Sequence, residues 1–189
     1  MSIKHLKLGI AMLSSIFLVS IDLDAAEFSQ VRPSNDEFMQ LPTENWLKNG
    51  GDFYNRNYSQ LDQINTSNVG EMIPLWRSHL AGSGVEARFS GEAQPIVQDG
   101  IMYIITGADD VFALSVETGE ILWSTLANLS SEISTVCCGW TSRGVAIGED
   151  KVFVGQLDGV LKAINKESGD TVWSIQAEDW QEGYTITSA

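Results

Sequence analysis

The sequence predicts an all-β chain built from repeated four-stranded units, the architecture of a β-propeller. Three observations carry this. A block of residues recurs at an offset of 50, tryptophans fall at matching places in successive units, and the apolar runs are short and broken by glycine turns, with weak helical periodicity. Composition is that of a folded domain: of 189 residues, 43% are apolar and 19% charged, which excludes disorder as the main state. Lys plus Arg is 11 and Asp plus Glu is 25, a net charge of −14. That sign argues against nucleic acid or anionic lipid as a partner, because both require a basic face. A basic protein partner stays open.

The first element reads as an export signal. Lys4, His5 and Lys7 precede an apolar run from Leu8 to Ile21, after which the chain turns polar through Asp22, Asp24 and Glu27. A positive start, a short apolar stretch and small residues before a polar change are the parts of a secretory leader, read here as residues 1–26 with cleavage near Ala25 or Ala26. The competing reading is an uncleaved anchor, but Leu8–Ile21 is shorter than the about 20 residues that span a bilayer. No cysteine stands near the junction to carry a lipid. Two Lys and two Asp leave with the leader, so the mature part, residues 27–189, keeps the charge of −14.

The repeated block follows. Val111–Ser124 recurs as Leu161–Ser174, with Ala113, Gly119 and Trp123 answered by Ala163, Gly169 and Trp173. At the same offset Met102-Tyr103-Ile104 is answered by Val152-Phe153-Val154, after polar turns at Asp99-Gly100 and Asp150-Lys151. A third tryptophan, Trp76, stands 47 residues before Trp123, which stands 50 before Trp173. Ile101–Ile105 is a continuous apolar run, as expected of a strand covered on both faces. Thr118-Gly119 and Ser168-Gly169 supply the glycine a hairpin takes at positive φ, and the strand after each turn carries the tryptophan. These tryptophans are read as packing residues. Propeller blades bury their apolar faces only against neighbouring blades, so the two to three units here do not close a ring. The strand-like run Tyr184–Ala189 has no closing element, and the expectation is the N-terminal part of a longer propeller.

Two stretches resemble one family. The run Asn45-Trp46-Leu47-Lys48-Asn49-Gly50-Gly51-Asp52-Phe53-Tyr54-Asn55-Arg56-Asn57-Tyr58-Ser59-Gln60-Leu61, continued by Asp62–Val69 and Leu75-Trp76, resembles the opening of the pyrroloquinoline quinone (PQQ)-dependent alcohol dehydrogenases. The pattern from Ala113 to Trp123, and again from Ala163 to Trp173, resembles the tryptophan-docking repeat of that family. The likeness spans residues 40–189. It implies an eight-bladed propeller in the intact protein, with PQQ on the central axis beside Ca²⁺ or a lanthanide.

Cys137 and Cys138 are the only cysteines, and they are adjacent. Neighbouring Cα atoms lie about 3.8 Å apart, below the roughly 4.4 Å where ordinary disulfides begin, so a bond between them closes a strained ring. Read from the residues alone, two reduced thiols acting as small apolar groups are the plainer interpretation. The resemblance implies the other: a vicinal disulfide packed against the quinone plane. It also implies three further cofactor contacts. Glu92 matches the family's cofactor-bonding glutamate, Arg143 an arginine that meets a PQQ carboxylate, and Thr187 a threonine whose hydroxyl does the same. A planar guanidinium suits a carboxylate through paired charge-assisted hydrogen bonds.

Gly139-Trp140-Thr141-Ser142 departs from the Asp- and Asn-containing loop of methanol dehydrogenases, which favours a broader, ethanol-type alcohol specificity. Trp46, Trp180 and His79 carry no assigned chemistry. The family's metal ligands and catalytic aspartate are expected beyond Ala189, so no catalytic or metal-binding residue is assigned within the chain. No Gly-rich phosphate loop points to a nucleotide cofactor. The implied activity is periplasmic oxidation of primary alcohols to aldehydes, with electrons passed to a cytochrome c-type acceptor and with a homo-oligomer or small subunit as a possible assembly. The alternative from another class is a non-enzymatic β-propeller scaffold of outer-membrane protein assembly, which needs neither the cysteine pair nor Glu92 and Arg143.

Overall fold

Two four-stranded antiparallel sheets, each with its strands in chain order, dominate the computed structural model, which describes residues 34–83, 91–134, 136 and 139–188. The first sheet holds β1 (Ile96–Gln98), β2 (Ile101–Ile105), β3 (Val111–Ser115) and β4 (Ile121–Thr125). The second holds β5 (Ala146–Gly148), β6 (Lys151–Gly155), β7 (Val160–Asn165) and β8 (Thr171–Gln176). These are the two blades that the internal repeat predicts. The segment around Trp76, read as part of a third unit, forms no strand among the described residues. The predicted leader, residues 1–26, lies outside the described residues.

The tight turns follow from backbone chemistry. Asp99 and Gly100 have φ of 51° and 77°, and Glu149 and Asp150 have φ of 48° and 66°. Two successive positive φ values give the hairpin whose twist matches its flanking strands. In the second blade the turn therefore sits one residue earlier than the sequence suggests, and Lys151 already belongs to β6. The repeat extends to irregularities: the register slips between Ala113 and Leu114 in one blade and between Ala163 and Ile164 in the other.

The blades pack face to face. Ile101–Ile105 is not sealed on both sides as its apolar run predicts; Tyr103 and Ile105 are buried while Met102 and Ile104 are half-buried. Tyr103, Ile105, Val111 and Ala113 share one cluster with Val152, Val154 and Ile164 of the second blade. Burying such side chains is worth about 1.5–3 kcal/mol each for the larger ones. At the edge, the Trp123 indole N–H donates to the Lys166 carbonyl at 2.9 Å, and the Thr125 hydroxyl to the Gly169 carbonyl at 2.6 Å. Trp76 docks on the first blade in the same way, donating to the Val116 carbonyl at 2.9 Å, with Ser78 bonded to the Gly119 carbonyl. The glycines are required for this fit. A Cβ on Gly169 would lie 2.8 Å from the Trp123 ring, and one on Gly119 would lie 2.4 Å from the Trp76 ring.

The segment before the blades is tied to the first sheet and to itself. Its short α-helix, α1 (Asn35–Met39), starts in a capping box between Ser34 and Glu37. Phe38 stacks on Phe53 at 5.2 Å between centroids, and Trp46 pairs with Val97 of β1 through backbone bonds of 2.8 Å. The loop is locked by buried Asp52 (0% exposed), whose carboxylate accepts from the Arg56 side chain and from the amides of Tyr54 and Arg56. Burial pushes this carboxyl up, but those hydrogen bonds and the Arg56 charge outweigh burial and hold it below the usual carboxylate value.

Candidate functional site

Arg143 is the centre of the site, and the fold holds it by its backbone. Its amide donates to the Thr187 carbonyl at 3.1 Å, and its carbonyl accepts from the Gln94 amide at 3.3 Å. Its side chain then reaches Thr187 again: Nη1 donates to Oγ1 at 2.8 Å and to the carbonyl at 3.3 Å. Nη2 lies 3.8 Å from Oε2 of Glu92. Glu92, Arg143 and Thr187 therefore meet in one cluster, although they come from three separate stretches of chain: before β1, before β5 and after β8.

The last stretch has a local reason for its path. Thr187 is delivered by its neighbour Ile186, whose amide donates to the Gln156 carbonyl at 3.3 Å. Ile186 sits on Gly155; a Cβ there would lie 2.3 Å from Ile186 Cγ2. Gly155 thus makes room for the strand-end approach that brings Thr187 to Arg143. Earlier in the chain, buried Asp110 accepts from the Ser83 amide at 2.7 Å, the Ser83 hydroxyl at 2.5 Å and the Ala127 amide at 2.8 Å.

The ion pair of the site is open to solvent. The Arg143 and Glu92 side chains are 52% and 51% exposed, so their ion pair at 3.8 Å is weak and solvent-screened. Thr141 and Ser142, which precede Arg143, have buried hydroxyl oxygens without a hydrogen-bond partner among the described residues, against the general rule for buried polar atoms. Cys137 and Cys138 lie outside the described residues. Among the described residues nearby, the buried Trp140 indole N–H donates to the Ile133 carbonyl at 2.9 Å, within a cluster of Ala108, Ile133, Trp140 and Leu157 against which Trp180 packs. This gives Trp180 a packing role that its sequence context does not reveal. Among the described residues no three His, Cys, Asp or Glu side chains converge as a metal site would require.

Sequence reading misses two supporting residues and one buried carboxyl. Asn49 donates from Nδ2 to the Arg143 carbonyl at 2.9 Å, and Gln94 accepts from the Gly50 amide at 2.9 Å. Asn49 falls inside the quoted Asn45–Leu61 stretch and Gln94 two residues after Glu92, but nothing in their spacing marks them. Asp109 has φ of 61° and is 1% exposed. Its Oδ2 accepts from the Leu157 amide at 2.6 Å, while Oδ1 has no partner among the described residues. Burial, reinforced by Asp158 and Asp110, pushes its carboxyl up to about 8 against the Leu157 hydrogen bond and the Lys162 charge.

Residues 46–175 match the family model described as the PQQ glucose/ethanol/alcohol dehydrogenase β-propeller domain. The chain belongs to this family of PQQ-dehydrogenase propellers. It is 37% identical over 179 residues to the quinoprotein alcohol dehydrogenase PedH of Pseudomonas putida, covering 92% of this chain and 29% of that protein. It is 34% identical to methanol dehydrogenase [cytochrome c] subunit 1 of Methylobacterium organophilum, covering 91% of this chain and 28% of the relative. The crystal structure of the quinohemoprotein alcohol dehydrogenase from Comamonas testosteroni superposes with a TM-score of 0.73 at 31% identity, over 82% of this chain and 23% of that one. The chain thus spans less than a third of the length of these relatives.

Proposed function

We propose that this chain is the N-terminal part of a periplasmic PQQ-dependent alcohol dehydrogenase that oxidises primary alcohols to aldehydes and passes the electrons to a cytochrome c-type carrier. The observation that carries the reading is the convergence of Glu92, Arg143 and Thr187, at 3.8 and 2.8 Å from the two guanidinium nitrogens. The donor set suits PQQ. A guanidinium and a hydroxyl side by side match a carboxylate, and the unpartnered hydroxyls of Thr141 and Ser142 lie in the same stretch of chain. When bound, PQQ supplies the two-electron redox chemistry, and the protein supplies orientation and electrostatics.

In this reading Arg143 and Thr187 bind and orient a carboxylate edge, and Glu92 accepts a hydrogen bond from the cofactor. Cys137 and Cys138 form a vicinal disulfide against its plane. The Ca²⁺ or lanthanide ligands and the base that takes the alcohol proton come from chain beyond residue 189, so residues 1–189 alone turn over no alcohol. Residues 1–26 direct export, and 27–189 begin the propeller. The small alcohol is of the ethanol-type class, as the loop of Gly139 to Ser142 suggests.

The test is a titration of the metal-loaded, PQQ-free full-length enzyme with PQQ, followed by absorbance. Wild type binds, and Arg143→Ala weakens binding by roughly ten- to a hundredfold, the range of a hydrogen bond to a charged group. A folded wild-type protein that does not bind PQQ overturns the reading.

A further inference from the structure

We propose that Asn49 is a positioning residue that aims Arg143 at the cofactor, an inference that rests on the reading above and extends it. The Arg143 carbonyl receives two hydrogen bonds, from Asn49 Nδ2 at 2.9 Å and from the Gln94 amide at 3.3 Å. The Arg143 amide is held from the other side by the Thr187 carbonyl at 3.1 Å. The backbone of this residue is thereby clamped from both directions, which sets where the guanidinium emerges. Asn49 acts from 94 residues away in sequence, on a loop that has little freedom of its own.

That loop is rigid for identifiable reasons. Gly50 and Gly51 hold successive φ of 84° and 89°, a conformation that side chains with Cβ rarely adopt. The Gly50 amide donates to Gln94 Oε1 at 2.9 Å and its carbonyl accepts from the Asn57 amide at 3.0 Å. Lys48 Nζ bonds the Asn49 carbonyl and Asn55 Oδ1, both at 2.6 Å. Buried Asp52 and its Arg56 close the far side of the loop. Gly50 and Asn49 therefore form a double link, one bond to Gln94 and one to Arg143, that ties the N-terminal loop to the site.

The Asn49–Arg143 bond is solvent-exposed, so its contribution to global stability is small. The alignment of a half-exposed arginine with a bound anion is more sensitive. The structure therefore predicts an effect on affinity without an equal effect on folding.

The experiment uses full-length enzyme, metal-loaded and PQQ-free, titrated with PQQ alongside thermal melting of the same PQQ-free protein. Asn49→Ala and the isosteric Asn49→Asp, which replaces the donor by an acceptor facing the Arg143 carbonyl, each weaken PQQ binding about tenfold, the equivalent of one hydrogen bond. Their melting temperatures without PQQ equal that of wild type. Combined with Arg143→Ala, Asn49→Ala adds nothing further, because it acts only through Arg143. Wild-type affinity in Asn49→Ala, an additive double variant, or a loss of affinity matched by a lower melting temperature without PQQ overturns the inference. Failure of wild type itself to bind PQQ overturns instead the functional reading on which it rests.

Discussion

Asp109 shows how a single residue sets a pH dependence. In the folded chain its carboxyl titrates at about 8, against an ordinary value of 3.8. Its folded-state value is raised, so the protonated form contributes stability that is complete below about pH 4 and is lost as pH rises through 8. The groups facing it act in both directions: Asp110 and Asp158 favour the proton, while Lys162 and the Leu157 amide oppose it. Asp109→Asn cannot ionise and keeps an acceptor for Leu157. Its stability relative to wild type should therefore increase steadily between pH 4 and 8 and level off above, measured by urea denaturation at fixed ionic strength. A difference that does not change with pH would exclude burial of this carboxyl. Glu92, Arg143 and Thr187 are singled out in the sequence by resemblance to the family, and the fold brings the three side chains together. Asp109 is not legible: an Asp-Asp pair before a strand reads as a polar turn, and only packing against Leu157 turns it inward. Asn49 is hidden for a similar reason, since its partner is a backbone carbonyl that carries no sequence signature.

At the scale of elements, the strands are legible because glycine turns and tryptophans recur, and because two copies confirm one another. The Trp76 segment shows the limit of that reasoning. It docks like its counterparts but forms no strand among the described residues, since docking depends on one tryptophan and one glycine while a sheet needs neighbouring strands. The docking joint can be measured with two glycines of nearly equal φ. Gly100 and Gly169 have φ of 77° and 76°, but a Cβ on Gly100 meets nothing within 4 Å while one on Gly169 meets Trp123 at 2.8 Å. Both Ala substitutions cost about 1–2 kcal/mol for the left-handed backbone. Gly169→Ala should cost about 1–3 kcal/mol more, the range for overpacking. Equal losses in denaturant titrations would show that the joint is loose. Trp123→Phe, which deletes the bond to Lys166, should cost about 1 kcal/mol from that bond together with the lost ring contact.

At the scale of the whole molecule, the two blades are equivalent in sequence but not in surroundings. The face of the first blade that carries Tyr103, Ala113 and Trp123 is covered by Val152, Val154 and Ile164 of the second. The corresponding face of the second blade carries Phe153, Ala163 and Trp173, with the Phe153 and Trp173 rings 6.0 Å apart. There Leu161 and Ile175, which pair in register, are 39% and 56% exposed. Where Trp76 and Trp123 are followed two residues later by the bonding hydroxyls of Ser78 and Thr125, Trp173 is followed by apolar Ile175. Blades of a propeller bury such faces against the next unit. The difference predicts opposite outcomes for one substitution in two settings. In residues 1–189 expressed alone, the open face should drive association that rises with concentration, and Ile175→Lys should reduce it, as read by light scattering. In the full-length enzyme the same change buries a charge beneath the following blade and should lower stability by several kcal/mol. A neutral effect in the full-length enzyme would mean that this face stays in water and that the propeller does not continue from it.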